Sequence, residues 1–175
     1  AAEEIKEAIL EFLYDPNEGI FYKILGGEGE HLFYDKTVDM SSAFGLYEFG
    51  VLAPTDERLV KFMRVVENRI LCRTEVGGFA RYENDAYYRA AGDVPGNPWI
   101  ITTMWLAQYY IAMAKKEEDL QSVKNWLDWG VKYASFSGIL SEQLDPHSGA
   151  PLSAAPLVWS HAEFVHTVIK YLDKL

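Results

Sequence analysis

Two stretches of the chain gather side chains that can do chemistry. The first reads Gly77-Gly78-Phe79-Ala80-Arg81-Tyr82-Glu83-Asn84-Asp85-Ala86-Tyr87-Tyr88 and mixes a guanidinium, carboxylates and tyrosines without a block of like charge. Carboxylates and guanidinium hydrogen-bond hydroxyls, and aromatic faces cover the C–H surface of a sugar, so the set suits a neutral, hydroxyl-rich ligand. The competing reading is a surface loop in which Arg81 pairs with Glu83 or Asp85 above packed tyrosines. The second stretch, Gly138 to Phe164, delivers one carboxylate, Glu142, and one large aromatic, Trp159, to the mouth of a helix. A run this long in a compact domain is usually functional or disordered. Pro146, Pro151 and Pro156 stiffen it, and the apolar residues between them favour an ordered loop.

The elements that must position these groups are helices. Ile5, Ile9, Phe12 and Leu13 put one apolar face on residues 2–14. Residues 38–49 are apolar on most sides, which marks a buried helix. Leu59, Phe62, Met63, Val66 and Ile70 form a stripe from Thr55 or Asp56 to Leu71, with charge opposite. Asn97-Pro98 reads as a cap followed by proline at the first helical position, opening a helix from Trp99 to Ala114 that carries no charge. Residues 117–134 return to a stripe of Leu120, Val123, Leu127 and Val131. Ser160 and Glu163 read as a capping box for a last helix with Val165, Val168, Ile169 and Leu172.

Amphipathic and buried helices thus alternate, as in concentric layers. Every amphipathic-to-buried connection is long (roughly 15–37, 72–96 and 135–158), so antiparallel hairpins would gather the long loops at one end, the expected functional face. Three hairpins make an arc whose inner layer stays open. The helix carrying Trp99, Trp105, Tyr109 and Tyr110 is expected to need a cover, because soluble monomers rarely expose large apolar patches.

At 175 residues with 49% hydrophobic side chains the chain can bury a core. A net charge of −10 argues against nucleic acid, and no apolar run reaches the roughly 18 residues of a membrane span. The single cysteine, Cys72, excludes an internal disulfide and reads as structural. His161 and His166 stand five apart, the wrong spacing for a zinc pair; His161 reads as a hydrogen-bonded residue at a helix start. Gly26-Gly27-Glu28-Gly29 lacks the Lys-Ser/Thr of a phosphate loop and reads as a turn. Neither metal nor cofactor is called for. Ala1 in place of methionine points to a piece of something longer.

Four motifs occur in order: Arg81-Tyr82-x-x-Asp85-x-Tyr87-Tyr88, Gly96-Asn97-Pro98-Trp99, Ser141-Glu142-Gln143, and Pro156-Leu157-x-Trp159-Ser160-His161-Ala162-Glu163-Phe164. Together they resemble glycoside hydrolase family 15, the inverting family of glucoamylases, glucodextranases and related trehalases. The likeness runs from about Phe21 to the C-terminus. It implies an all-α fold, an α/α toroid of six helical hairpins, of which residues 1–175 would be the C-terminal half of the catalytic domain with about three hairpins.

The resemblance also implies roles. Glu142 would be the general base, Arg81 and Asp85 would hold glucosyl hydroxyls, Tyr82 and Tyr87 would line their pocket, Gln143 would join the substrate site, and Trp159 would form a wall. Asn97 and Trp99 would mark a supporting helix start. Asn84 stands where fungal relatives have glutamate, which bears on outer-subsite preference. The family's general acid lies in a Trp-Glu-Glu segment, whereas the five tryptophans here precede Ile100, Leu106, Leu127, Gly130 and Ser160. The implied partners are an α-glucan or gluco-oligosaccharide, and the missing N-terminal half or a second copy over the inner helices. A cytoplasmic location is expected, with secretion left open. The alternative is a non-catalytic carbohydrate-sensing or scaffolding domain on the same fold.

Overall fold

The computed structural model describes all 175 residues, save the side chain of Glu30. Among the described residues are six α-helices where the periodicity places them: α1 (Ala2–Ala8), α2 (Met40–Glu48), α3 (Glu57–Ile70), α4 (Ile100–Met113), α5 (Gln121–Lys132) and α6 (Val158–Leu172). No helix among these residues is long and apolar enough to cross a membrane. Two of the three predicted long loops also hold short antiparallel hairpins: β1 (Tyr14–Asp15) with β2 (Ile20–Phe21), β3 (Ile24–Gly26) with β4 (Phe33–Asp35), and β5 (Gln143–Leu144) with β6 (Pro151–Leu152). The chain divides into two units, Ala1–Arg69 and Ile70–Leu175.

In the first unit, α1 passes into a π-helical turn at Ile9–Leu13, so the predicted helix over 2–14 changes form halfway. Asp15 organises the β1–β2 turn. Its carboxylate accepts from the N–H groups of Asn17 (2.9 Å) and Glu18 (3.2 Å) and from the Tyr22 hydroxyl (2.7 Å). The Tyr22 bond, with the backbone donors, holds this carboxyl below its ordinary value. The Gly26–Gly29 turn joins β3 to β4, with Gly27 at φ 93°. Asp39 caps α2 by accepting from the Ser41 N–H at 2.8 Å. The predicted stripe of α3, from Leu59 to Ile70, is fully buried. A cavity of about 560 Å³ lies in this unit, lined in part by Ile5, Ile9, Phe21, Leu46 and Phe49; none of the predicted site residues reaches it.

The second unit is built on α4, which packs against both α5 and α6. Every residue of α4 except Tyr110, Ala112 and Met113 is buried. This corrects one expectation. The aromatics of α4 are not an open inner layer awaiting a cover, for Trp105 is only 8% exposed and Trp99 and Tyr109 less. Uncovered apolar surface lies instead on α6, among other places in this unit: Val158, Val165, Ile169 and Leu172 are all more than half exposed. The predicted stripe of residues 117–134 packs inward at Leu120, Val123 and Leu127 and departs only at its end. Val131 points outward, while Trp129 and Gly130 point in. Trp129 donates from Nε1 to the Val76 carbonyl at 2.7 Å, and a Cβ on Gly130 would stand 2.8 Å from the Phe164 ring. A glycine that weakens the helix locally thus lets α6 approach.

Candidate active site

The start of α4 is where the two chemical stretches meet. Isolated antiparallel bridges run from Leu71 to Phe79, from Phe79 to Trp99 and from Trp99 to Gln143, and β5 continues them to Leu152 through its pairing with β6. The ladder replaces the predicted cap. Trp99, not Asn97, is the N-cap of α4. The Phe79 backbone is bound by the first turn: its N–H donates to Thr103 Oγ1 (3.1 Å) and its carbonyl accepts from Thr102 Oγ1 (2.8 Å). The N–H of Ile100, one of the four a helix start leaves without an internal partner, donates to the Glu142 carbonyl at 3.3 Å.

Glu142 is therefore tied on both sides. Its N–H donates to the Ala154 carbonyl (2.9 Å) and its carbonyl closes α4. The flanking Ser141 donates from Oγ to the Gln143 carbonyl (2.7 Å) and accepts at its own carbonyl from Ser160 Oγ (2.8 Å). The half-buried carboxylate of Glu142 accepts from Gln143 Nε2 at 3.2 Å. Gln143 is fully buried, and its Oε1 accepts from Asn97 Nδ2 at 2.7 Å.

On the other side, Arg81 forms a fork-to-fork pair with Asp85, Nε to Oδ2 and Nη2 to Oδ1, each at 3.0 Å. Of the two carboxylates considered as partners of Arg81, Glu83 and Asp85, Asp85 forms this pair. Burial lowers the affinity of the guanidinium for its proton, but the Asp85 bonds, the Asp85 charge and Tyr82 together outweigh it and hold Arg81 above its ordinary value. The Arg81 head also lies 4.6 Å from the Trp99 ring, 4.8 Å from Tyr82 and 5.5 Å from Tyr87, distances at which aromatic faces attract a cation. Asp85 Oδ1 accepts in addition from the Tyr87 N–H at 3.0 Å. Gly96 lets the returning chain close on this carboxylate, since a Cβ there would stand 2.9 Å from the Asp85 Cβ. Cys72 donates from Sγ to the Gly96 carbonyl, and burial pushes its thiol up to about 12, so it is no nucleophile.

Trp159 stands 51% exposed, its ring edge-on to Trp105 at 5.7 Å. The predicted capping box fails here. α6 begins two residues earlier at Val158, Ser160 turns to Ser141, and Glu163 accepts from Trp159 Nε1 (3.2 Å) and Gln108 Nε2 (2.8 Å). His161 is the helix-start residue expected, with Nε2 accepting from the Leu140 N–H at 3.1 Å. Sequence reasoning overlooked Gln108 and Glu163 as supports of Trp159. A lone amide in the uncharged run of α4 was the available signal, because a buried amide needs partners.

A family profile for glycosyl hydrolases family 15 matches residues 124–169, the segment that holds Glu142 and Trp159. An uncharacterized glycosyl hydrolase of Methanocaldococcus jannaschii is 40% identical over 140 residues, covering 75% of this chain and 21% of the relative. The sequence resembles glycosyl hydrolase family 15. A glucoamylase of Clostridium sp. is 32% identical over 164 residues, 87% of this chain and 22% of the relative. The chain thus spans about a fifth of the length of these curated relatives. Among solved structures, a bacterial glucoamylase complexed with acarbose matches with a TM-score of 0.81 at 24% identity, over 99% of this chain and 28% of its own. The family 15 glucoamylase of Hypocrea jecorina matches at 0.70 and 17% identity, over 99% and 37%. The fold is accordingly all-α and that of the glucoamylase α/α toroid, of which the chain supplies part.

Proposed function

We propose that this chain is the C-terminal half of the catalytic domain of an inverting, exo-acting α-glucosidase of the glucoamylase type. Its substrates are the terminal α-glucosyl units of α-glucans or gluco-oligosaccharides. Glu142 is the general base. It takes a proton from a water that attacks the anomeric carbon opposite the leaving group; the bond from that carbon to the leaving oxygen breaks, and a general acid outside these residues protonates that oxygen. The released glucose is the β anomer. Arg81 and Asp85 hold hydroxyls, Tyr82 and Tyr87 line their pocket, and Trp159 forms a wall.

The observation that carries this reading is the tethering of Glu142 by both its peptide groups at the start of α4, next to Trp99, whose ring lies against Arg81. Inverting hydrolysis needs two carboxyls about 6.5–9.5 Å apart, one protonated and one ionised. Asp85 is engaged by Arg81, and Glu163 by Gln108 and Trp159, so neither serves as the acid. The 175 residues alone are expected to be inactive. In the whole protein that carries this chain, Glu142→Gln is expected to lower kcat by about 10²–10⁴-fold, and proton NMR of the wild-type reaction is expected to show β-glucose first. Undiminished turnover in the variant, or α-glucose as the first product, would sink the reading.

A further inference from the structure

We propose that Asn97 is a positioning residue: it turns the donor end of Gln143 toward Glu142 and so joins the Arg81–Asp85 loop to the water-activating carboxylate. The inference rests on the reading of Glu142 as general base, and it begins from hydrogen-bond polarity. A backbone N–H can only donate and a backbone carbonyl can only accept. The Ala90 N–H donates to Asn97 Oδ1 at 2.9 Å, so that oxygen faces Ala90. The amide nitrogen then faces the other way, donating to the Tyr88 carbonyl at 2.8 Å and to Gln143 Oε1 at 2.7 Å. With Oε1 occupied, Gln143 presents Nε2 to Glu142 Oε2, 3.2 Å away. An amide nitrogen has no lone pair to offer, so the carboxylate must accept.

Side-chain amides can in general be turned end for end. Here two backbone groups, the carbonyl of Tyr88 and the N–H of Ala90, set the direction of both. Asn97 is 1% exposed and Gln143 0%, so water cannot stand in for a lost partner. A carboxylate without its proton can only accept, so this one donor decides which of its two oxygens is bound. It fixes Oε2 and leaves Oε1 to meet the water. The relay starts in the loop that carries Asp85 and Tyr87. The two peptide groups that Asn97 clamps flank Arg89, and Tyr88 sits at φ 52°, a conformation that costs a non-glycine residue energy and persists only where neighbours enforce it. Gln143 accordingly acts on the reaction through Glu142, without needing to touch the sugar.

The test uses the whole protein that carries this chain, with a double-mutant cycle. Asn97→Asp keeps the acceptor for Ala90 and removes both donors. Gln143→Glu keeps the acceptor for Asn97 and removes the donor to Glu142, which guards against the case in which the first variant fails to fold. Each is expected to lower kcat about 10–100-fold, the scale on which groups that orient a reacting ligand act, with KM unchanged within about twofold. In a Glu142→Gln background neither should lower kcat further, because groups acting as a unit are not additive. The side-chain ¹⁵N–¹H₂ signal of Gln143 gives a substrate-free readout, expected to move in Asn97→Asp and in Glu142→Gln alike. Wild-type kcat in Gln143→Glu, a full effect persisting in the Glu142→Gln background, or an unmoved Gln143 signal would overturn the relay. Undiminished kcat in Glu142→Gln alone would instead overturn the general-base reading, and the amide signal would still judge the relay.

Discussion

The Arg81–Asp85 loop and the Glu142 strand meet at one helix start, yet they are held by different means. Arg81 is fixed by side chains: two bonds to Asp85 and the faces of three aromatic rings. Glu142 is fixed by backbone: its own peptide groups bond Ala154 and Ile100, and its neighbours bond Trp99 and Ser160. The difference suits the two tasks proposed. Hydroxyls can be gripped by groups that adjust their χ angles, whereas a base must meet a water at one point, and small displacements cost large factors in rate. It follows that function and stability should separate on the two sides.

The largest expected effect lies on the strand. Glu142→Gln should cost turnover as stated above while leaving the thermal midpoint within about 2 °C of wild type, since a shift that small corresponds to under about 1 kcal/mol in a chain of this size. The tether of Glu142 is its backbone, and the substitution keeps every backbone bond. A drop of the midpoint comparable to that of a core deletion would mean that the side chain, not the ladder, holds the strand. The opposite balance is expected on the loop. Asp85→Ala strands the Arg81 guanidinium and the Tyr87 N–H together, and should lower stability by about 1–3 kcal/mol, the usual cost of leaving buried polar groups without partners. Asp85→Asn, which still accepts from Tyr87, should recover part of it. Differential scanning calorimetry separates the two substitutions, and equal midpoints for wild type and Asp85→Ala would refute the view that side chains carry this loop.

The same contrast explains what could be read from the sequence. Groups organised through side chains leave a mark in residue type: the stripe of α3, the uncharged run of α4 and the Arg81–Asp85 spacing all appear as expected. Groups organised through backbone leave little. The strands that support Glu142 are two residues long, too short for an alternation of period two to stand out. Asn97-Pro98 matches a helix cap in composition, yet its amide bonds Tyr88, Ala90 and Gln143 across the site. Ser160 and Glu163 match a capping box in spacing, yet each has a stronger tertiary partner. Local patterns name the residues that can make a bond; only the fold decides which bond they make. The expected bare face of α4 failed for a related reason. Counting apolar residues on one helix does not show that a neighbouring helix and a ladder already cover it.

The smallest expected effect concerns the turn that closes the Glu142 strand. Asp145 Oδ1 accepts from the N–H groups of Ser148 (2.8 Å) and His147 (3.0 Å) and from Ser148 Oγ (2.9 Å), which joins β5 to β6. The Ser148 bond leads in holding this carboxyl below its ordinary value. A carboxyl that is more acidic folded than unfolded adds stability above its unfolded pKa, about 3.9 for aspartate, and that contribution disappears as pH falls through the lower folded value. Asp145→Asn keeps an acceptor but not the charge. Its stability should therefore lie below wild type near pH 7 by a few tenths to about 1 kcal/mol, the range for exposed charged contacts, and the gap should close as pH drops under about 4. Denaturant titrations at pH 7 and pH 3 measure the gap directly. A gap that is the same at both values would show that the turn beneath the Glu142 strand is held by geometry and not by charge.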